Sequence, residues 1–509
     1  MFLSKKLLLK KVRDYKIDFT SFANGMNTEI DENLMPIKYA RKFYNYTVKN
    51  GALKSGLGFD FLSLPISYDT YETQERLLPV APNNSAIKGL WHYKYYSASM
   101  GSSRHKIVFY TDEELLYFTF TISPFSEFWT VFPPFDPQYF SGDMSAVNYH
   151  LNGLDCLIMV VPEEKKIIVL DSNDNTNVVI NAPELVSIGL HYERLFAILE
   201  GDRKTLMFSA NLDPTNFNIE EDEGGFIDMR DDRGRLNKII SFHDYVYVFR
   251  DYGVSRVSAY GDQNEFSVSQ LFVSSCKIFG NSVVSCGDRI LFLSRDGLYM
   301  FDGYSTSKIT LHIESMLENE NNDHCNAVFY KDKYYLACRM NFGDQEKIGC
   351  ENYSQGYQNN ALIEYDIKTG DLNILRGVDI LNMISIEESN VSKLAACFHG
   401  QYKSYFGQLN SSGTLFGTPL QSYWESPNSN LGYPNQIKIV KEVLIKTKSD
   451  CKIIIKSDKE EKTYSVKGLP TTQRVKTHVM GEYIQIAFVS ENAQDILISS
   501  PQIIIGVVQ

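Results

Sequence analysis

The eight cysteines include no Cys-x-x-Cys pair. The spacing that brings two thiolates onto one zinc ion is therefore missing. The cysteines are Cys156, Cys276, Cys286, Cys325, Cys338, Cys350, Cys397 and Cys451. Several stand in apolar runs, which reads as buried free thiols. No stretch approaches the ~20 apolar residues of a membrane-spanning helix. The opening segment, residues 1–16, sets three leucines between basic residues. That run is shorter than a signal-peptide core and no small-residue cleavage site follows it, so export by the usual route is not expected. Basic charge is scarce: 50 Lys and Arg stand against 62 Asp and Glu, a net charge of −12. A general nucleic-acid binder would show the opposite balance, although DNA can slide past an acidic surface without sticking. No Ser-His-Asp motif, phosphate-cradling glycine loop or His-Glu-x-x-His occurs. Long amphipathic helical periodicity is also missing; only residues 314–320 suit one or two helical turns.

What is abundant is strand-forming material. Phe and Tyr number 31 and 32, as β-proteins favour. The stretch 280–304 (GNSVVSCGDRILFLSRDGLYMFDGY) reads as three short strands, 282–286, 289–294 and 298–301. Gly287-Asp288 and Arg295-Asp296-Gly297 supply the turns, because Gly and Asp tolerate the backbone angles of a tight reversal. This hairpin recurs seven times. Its other copies pair 106–110 with 115–120, 155–161 with 166–171, 194–199 with 205–209, 245–250 with 254–260, 333–339 with 361–366, and 393–398 with 402–408. A further strand usually precedes the hairpin, as at 239–242 and 327–330. The period is ~40–50 residues with three or four strands per unit, once an insertion at 340–360 is set aside. Such a sheet cannot bury both faces alone, so units must stack around a common axis. The expectation is an all-β chain whose centre is a β-propeller of seven blades, with six to eight fitting the spacing.

The flanks differ from the repeats. Residues 1–84 are expected to form an N-terminal arm with a β-hairpin, since Asn50-Gly51 separates two strand-like runs. Residues 60–84 read as an irregular connector with three prolines. The propeller is expected over 85–420. Residues 421–509 open with a Pro-, Gly- and Asn-rich loop and continue as alternating strands at 441–447, 451–456, 462–466, 483–489 and 496–498. This pattern predicts a small antiparallel β-sandwich.

Candidate sites are weak. His92, His150, His191 and His243 fall near the first turn of successive repeats. Equivalent positions on different blades are too far apart to share one ion at bond lengths of ~2 Å. Asp171 to Asn175 begins like a calcium loop, but Thr176 stands at the glycine position and Ala182 at the closing glutamate. Glu220 to Glu223, with Asp228, Asp231 and Asp232, could supply the paired carboxylates of a glycosidase. One of them would need burial to stay protonated, and nothing in that polar stretch promises it. Lys5, Lys6, Lys10, Lys11 and Arg13 form a basic terminus, read as solvated. Trp91, Tyr93, Tyr95 and Tyr96 could stack on sugar rings, or fill gaps between blades. No residue is assigned a catalytic, cofactor-binding or metal-binding role, and an enzyme is not expected.

Several stretches resemble one family: 22–28 (FANGMNT), 34–36 (LMP), 40–45 (ARKFYN), 51–58 (GALKSGLG), 207–217 (MFSANLDPTNF), 294–303 (SRDGLYMFDG), 423–425 (YWE) and 431–434 (LGYP). Together they are similar to the nozzle and packaged-DNA stabilisation proteins at the head-to-tail junction of short-tailed bacteriophages. The resemblance implies a virion component made in the host cytoplasm, in a homo-oligomeric ring of about six copies. The ring would sit below the portal and adaptor, retain the packaged genome and then let it leave. It implies contact with other tail proteins, passage of double-stranded DNA without sequence-specific binding, and no cofactor. The alternative is a carbohydrate-active propeller, hydrolase or lectin; a scaffold propeller that binds peptides is a third reading.

Overall fold

The computed structural model describes residues 12–18, 22, 25–67, 73–77, 86–98, 101–111, 115–119, 130–131, 143–220, 224–318, 320–343, 358–388, 391–400, 404–491 and 496–508. Its centre is a seven-bladed β-propeller. Blades 1 to 6 are four-stranded antiparallel sheets whose strands follow chain order. Blade 2 shows the pattern: Ser145–Leu151, Leu154–Val161, Lys166–Asp171 and Thr176–Ile180. The first strand of each blade packs against the first strand of the next, and blade 7 returns to blade 1. All seven hairpins expected from the repeats form, each as the second and third strands of its blade.

The turns explain the regularity. Several first-to-second turns hold a residue at positive φ: Asn152 and Gly153, Tyr192, His243, Gly287, and Lys331 with Asp332. A left-handed turn twists with the right-handed strands it joins, so the hairpin closes without splaying. The buried faces of these strands then stack blade on blade. Phe249, Phe292 and Phe301, for example, meet between blades 4 and 5.

A polar bond also crosses every blade junction. Met144 N–H donates to the Tyr110 hydroxyl at 3.2 Å. Ile188 N–H donates to Ser145 Oγ, and Ile239 N–H to Ser187 Oγ. Asn237, Asn281 and Asn382 donate through Nδ2 to the carbonyls of Ile278, Asp323 and Ile87. Asn326 Oδ1 accepts from Met383 N–H at 2.8 Å. Short polar side chains near the start of the first strands thus tie six of the seven junctions, and the Tyr110 hydroxyl at the end of a second strand ties the other.

The ring is closed by a strand from far away in sequence. Blade 7 is Ile380–Glu388, Val391–His399 and Ser404–Asn410, with Gly58–Phe61 as its fourth strand. Gly58 is required there, since a Cβ would lie 2.5 Å from the Thr414 carbonyl oxygen.

Two further sheets form the sandwich. One holds Tyr46–Lys49, Ala52–Ser55, Leu497–Val508, Lys438–Thr447 and Leu469–Gly481, and Val12–Asp18 pairs with Leu497–Val508. The other holds Lys42–Tyr44, Ser422–Glu425, Ile484–Ser490, Cys451–Ser457 and Glu461–Val466. The segment set apart as an arm is therefore shared out: its early strands belong to the sandwich and 58–61 to the propeller. The Asn50-Gly51 hairpin forms as expected, with φ of 54° and 69°. Within the stretch read as a connector, Ser63–Ser67 pairs with Thr73–Leu77. Arg13 lies on a paired strand rather than a loose terminus; Lys5, Lys6, Lys10 and Lys11 lie outside the described residues. So does 344–357, most of the insertion. The helical turn forms at Glu314–Leu317.

Candidate functional site

The residues that could carry chemistry do not converge. His92 lies on the first strand of blade 1, stacked on His105 with Nε2 and Nδ1 2.8 Å apart. Burial, then His105 and Lys94, push its pKa down to about 4. His150 pairs with Asp155 at 2.9 Å on blade 2. His191 is buried and meets Ser241 Oγ at 2.9 Å. His243 occupies a turn at φ 52°. Among the described residues no group of three His, Cys, Asp or Glu could hold a metal ion. Asp171 spends its carboxylate on the amides of Asn173 and Asn175. Asp174 pairs with the buried Lys106.

Within the carboxylate cluster, Asp231 is the reverse of a glycosidase acid. Glu221, Asp222 and Glu223 lie outside the described residues, and Glu220 is exposed. Asp231 binds Arg250 at 2.7 Å and Arg233 at 3.1 Å. Burial opposes its ionisation, but the Arg233 amide and the Arg250 guanidinium outweigh that and hold its carboxyl below the ordinary range. Asp228 pairs with Arg230, and Asp232 is open to solvent. A general acid needs the opposite shift. Three of the buried cysteines are equally unsuited to nucleophilic work: burial pushes Cys156 and Cys286 up to about 12 and Cys451 to about 11. In blade 1, Tyr93 and Tyr95 are buried between blades, and the Tyr93 hydroxyl donates to the Asp155 carbonyl at 2.8 Å. They fill gaps and do not face a ligand.

Two arrangements remain. The first is a rim of carboxylates at or beside the first-to-second turns: Glu193, Asp244, Asp288 and Asp332 in the turns of blades 3 to 6, with Asp155 and Glu387 on the adjoining strands of blades 2 and 7. Arg289 and Lys368 offset two of them, and His150 hydrogen-bonds to a third. A rim of this sign keeps a polyanion at a distance.

The second is the joint between propeller and sandwich. Asn45 is 4% exposed and sits at φ 60°, a conformation Asn tolerates. Its Nδ2 donates to the carbonyls of Arg376 and Gln421, and its Oδ1 accepts from Arg376 N–H at 2.6 Å. Its own carbonyl accepts from Ser422 Oγ at 2.7 Å. Around it Phe22 meets Trp424 edge-on at 5.0 Å, and Tyr44 stacks on Tyr423 at 5.5 Å. Asn27, 1% exposed, reaches His312 beyond blade 5 at 3.2 Å. A cavity of about 370 Å³ beside the joint is lined by Phe22, Met26, Phe43, His312, Asp371 and Ile374. Sequence reasoning missed Asn45 as a hub, because it falls inside what reads as a single strand-like run and in fact divides Lys42–Tyr44 from Tyr46–Lys49.

The class these features define is a seven-bladed β-propeller carrying a β-sandwich on its outer edge. No family model matches this chain, and no curated protein does. Among solved structures it is similar to a streptogramin B lyase, at 10% identity and a TM-score of 0.40, covering 70% of this chain and 97% of that one. It is also similar to virginiamycin B lyase from Staphylococcus aureus, at 7% identity and a TM-score of 0.42, covering 69% and 99%. The propeller assignment rests on the strand pairing above, and nothing of the lyases' chemistry is carried over.

Proposed function

We propose that this chain is a structural subunit of a bacteriophage virion. In this reading it forms a ring at the tail nozzle or head-to-tail junction, touches the portal and adaptor side and other tail proteins, and lines the path by which double-stranded DNA leaves. The observation that carries the reading is the joint. Three of the stretches that resemble the phage family meet there: 22–28 and 40–45, near the start of the sequence, and 423–425, far from both. Phe22, Asn27, Tyr44, Asn45, Tyr423 and Trp424 supply its contacts. They act by packing and hydrogen bonding, which suits a part that holds two modules at a fixed angle under stress. The acidic rim and the net charge of −12 suit a surface along which DNA must move without binding.

The test is quantitative mass spectrometry of purified phage particles from the source culture. A fixed ratio to the portal protein, near one ring of about six or twelve copies, is the expected result. Presence in lysate with absence from particles would sink the reading.

A further inference from the structure

One face of the propeller carries an unassigned array of tyrosines. Turns between first and second strands, and between third and fourth strands, open on the same face because strands within a blade alternate in direction. Tyr192 lies in the first kind of turn, between Leu185–His191 and Arg194–Leu199 of blade 3. Tyr245 opens the second strand of blade 4, directly after the corresponding turn. Tyr260 follows the third strand of that blade, Gly253–Ser258. Tyr304 lies between Gly297–Phe301 and Thr306–Lys308 of blade 5. All four therefore share one face across three consecutive blades.

The rings form two pairs, Tyr192 with Tyr260 and Tyr245 with Tyr304 across Arg256. Tyr192 and Tyr260 meet edge-on at 5.4 Å. The Tyr192 hydroxyl reaches Asp244 Oδ1 at 3.5 Å. Arg256 lies 4.4 Å over Tyr245 and 5.7 Å over Tyr304. Tyr192, Tyr260 and Tyr304 are nevertheless 50%, 74% and 72% exposed. Tyrosines that only filled a blade junction would be buried, as Tyr93 and Tyr247 are.

We infer that this array is a binding platform for a neutral, hydroxyl-rich polysaccharide. Exposed ring faces carry negative quadrupoles that favour the polarised C–H groups of a sugar ring. Between them stand Asp244 and Arg256, which can accept and donate hydrogen bonds to paired hydroxyls. The surface alternates ring and polar group, unlike the contiguous apolar patch of a protein contact. The exposed carboxylates around it, Glu193, Asp244 and Asp262, disfavour nucleic acid and acidic polysaccharides. The array is open, so it suits a polymer lying across it rather than an enclosed small molecule. This inference does not depend on the virion reading. It adds blades 3 to 5 to the sugar-binding option; on blade 1 Tyr93 and Tyr95 are buried, whereas Tyr96 is 54% exposed.

Affinity electrophoresis of the full chain in native gels tests it. The gels contain an α-glucan, a mixed-linkage β-glucan or a galactomannan, with alginate as the anionic probe. Retardation by at least one neutral polymer is expected, with none by alginate. The Tyr260→Ala/Tyr304→Ala variant should weaken that retardation about tenfold, with an unchanged thermal melt because both side chains project into solvent. No retardation by any neutral polymer overturns the inference, as does retardation that the double variant leaves intact. If the double variant instead breaks up an assembly of copies while neutral gels retard nothing, the face is a subunit contact and the inference also fails.

Discussion

At the scale of single residues, Asp231, one of the carboxylates of the glycosidase reading, is a fastener. Arg250 is fully buried and holds Asp231, with further bonds from Nη2 to the carbonyls of Met229 and Gly234. Asp231→Ala leaves that buried guanidinium without a counter-charge. The expected cost is about 3 kcal/mol of stability, read by urea denaturation, with no effect on any sugar cleavage. His92 gives a second residue-level outcome. Its folded pKa of about 4 lies below the unfolded value of 6.5 because burial, His105 and Lys94 disfavour the imidazolium. The unfolded chain therefore binds more protons between those values, and stability is lost as pH falls through that window. Denaturation midpoints should show about 2 kcal/mol lost by pH 5 from this group. His92→Gln should flatten that part of the profile; a slope unchanged in the variant would mean His92 is not its source.

At the scale of elements, the hairpins were legible because their signals are local. Gly, Asp and Asn at the turns and apolar alternation in the strands lie within a dozen residues of each other. What was not legible is pairing over distance. Gly58–Phe61 is too short to announce that it closes blade 7, since its partner Ser404–Asn410 lies near the other end of the propeller. Leu469–Gly481 was missed because its residues are largely exposed and polar, so no apolar stripe marks it. Val12–Asp18 was missed for the same reason, with only its Arg13 read, as part of a solvated basic terminus. Among the site readings, the expectation that tyrosines fill blade gaps fits Tyr93 and Tyr95. The aromatic array of blades 3 to 5 gave no signal, because a tyrosine in a turn looks like any other turn residue. The joint makes the element-level prediction. Asn45→Ala removes three side-chain hydrogen bonds and places a Cβ residue without a polar side chain at positive φ. About 3 kcal/mol should be lost. Asn45→Gly keeps the backbone conformation and should lose less. Limited proteolysis should cut the Ala variant between propeller and sandwich before either module is degraded; simultaneous loss of both would show that Asn45 does not govern the joint.

At the scale of the whole molecule, charge is unevenly divided. Residues 85–420 hold 27 Lys and Arg against 44 Asp and Glu, whereas 1–84 hold 12 against 9 and 421–509 hold 11 against 9. In a ring of identical copies, a contact of propeller on propeller would oppose two strongly acidic bodies. A head-to-tail contact that seats the sandwich of one copy on the propeller of the next brings opposite signs together, and such heterologous contacts close into rings. The two arrangements respond oppositely to salt. Raising the ionic strength from about 0.05 M to about 0.5 M shortens the screening length severalfold. Screening weakens attraction between sandwich and propeller, so the assembled fraction in sedimentation velocity should fall. An assembled fraction that rises with salt would mean that acidic faces abut and the head-to-tail arrangement is wrong. A chain that stays monomeric at both salt concentrations and at high protein concentration would remove the ring itself, and with it a nozzle built from this chain alone.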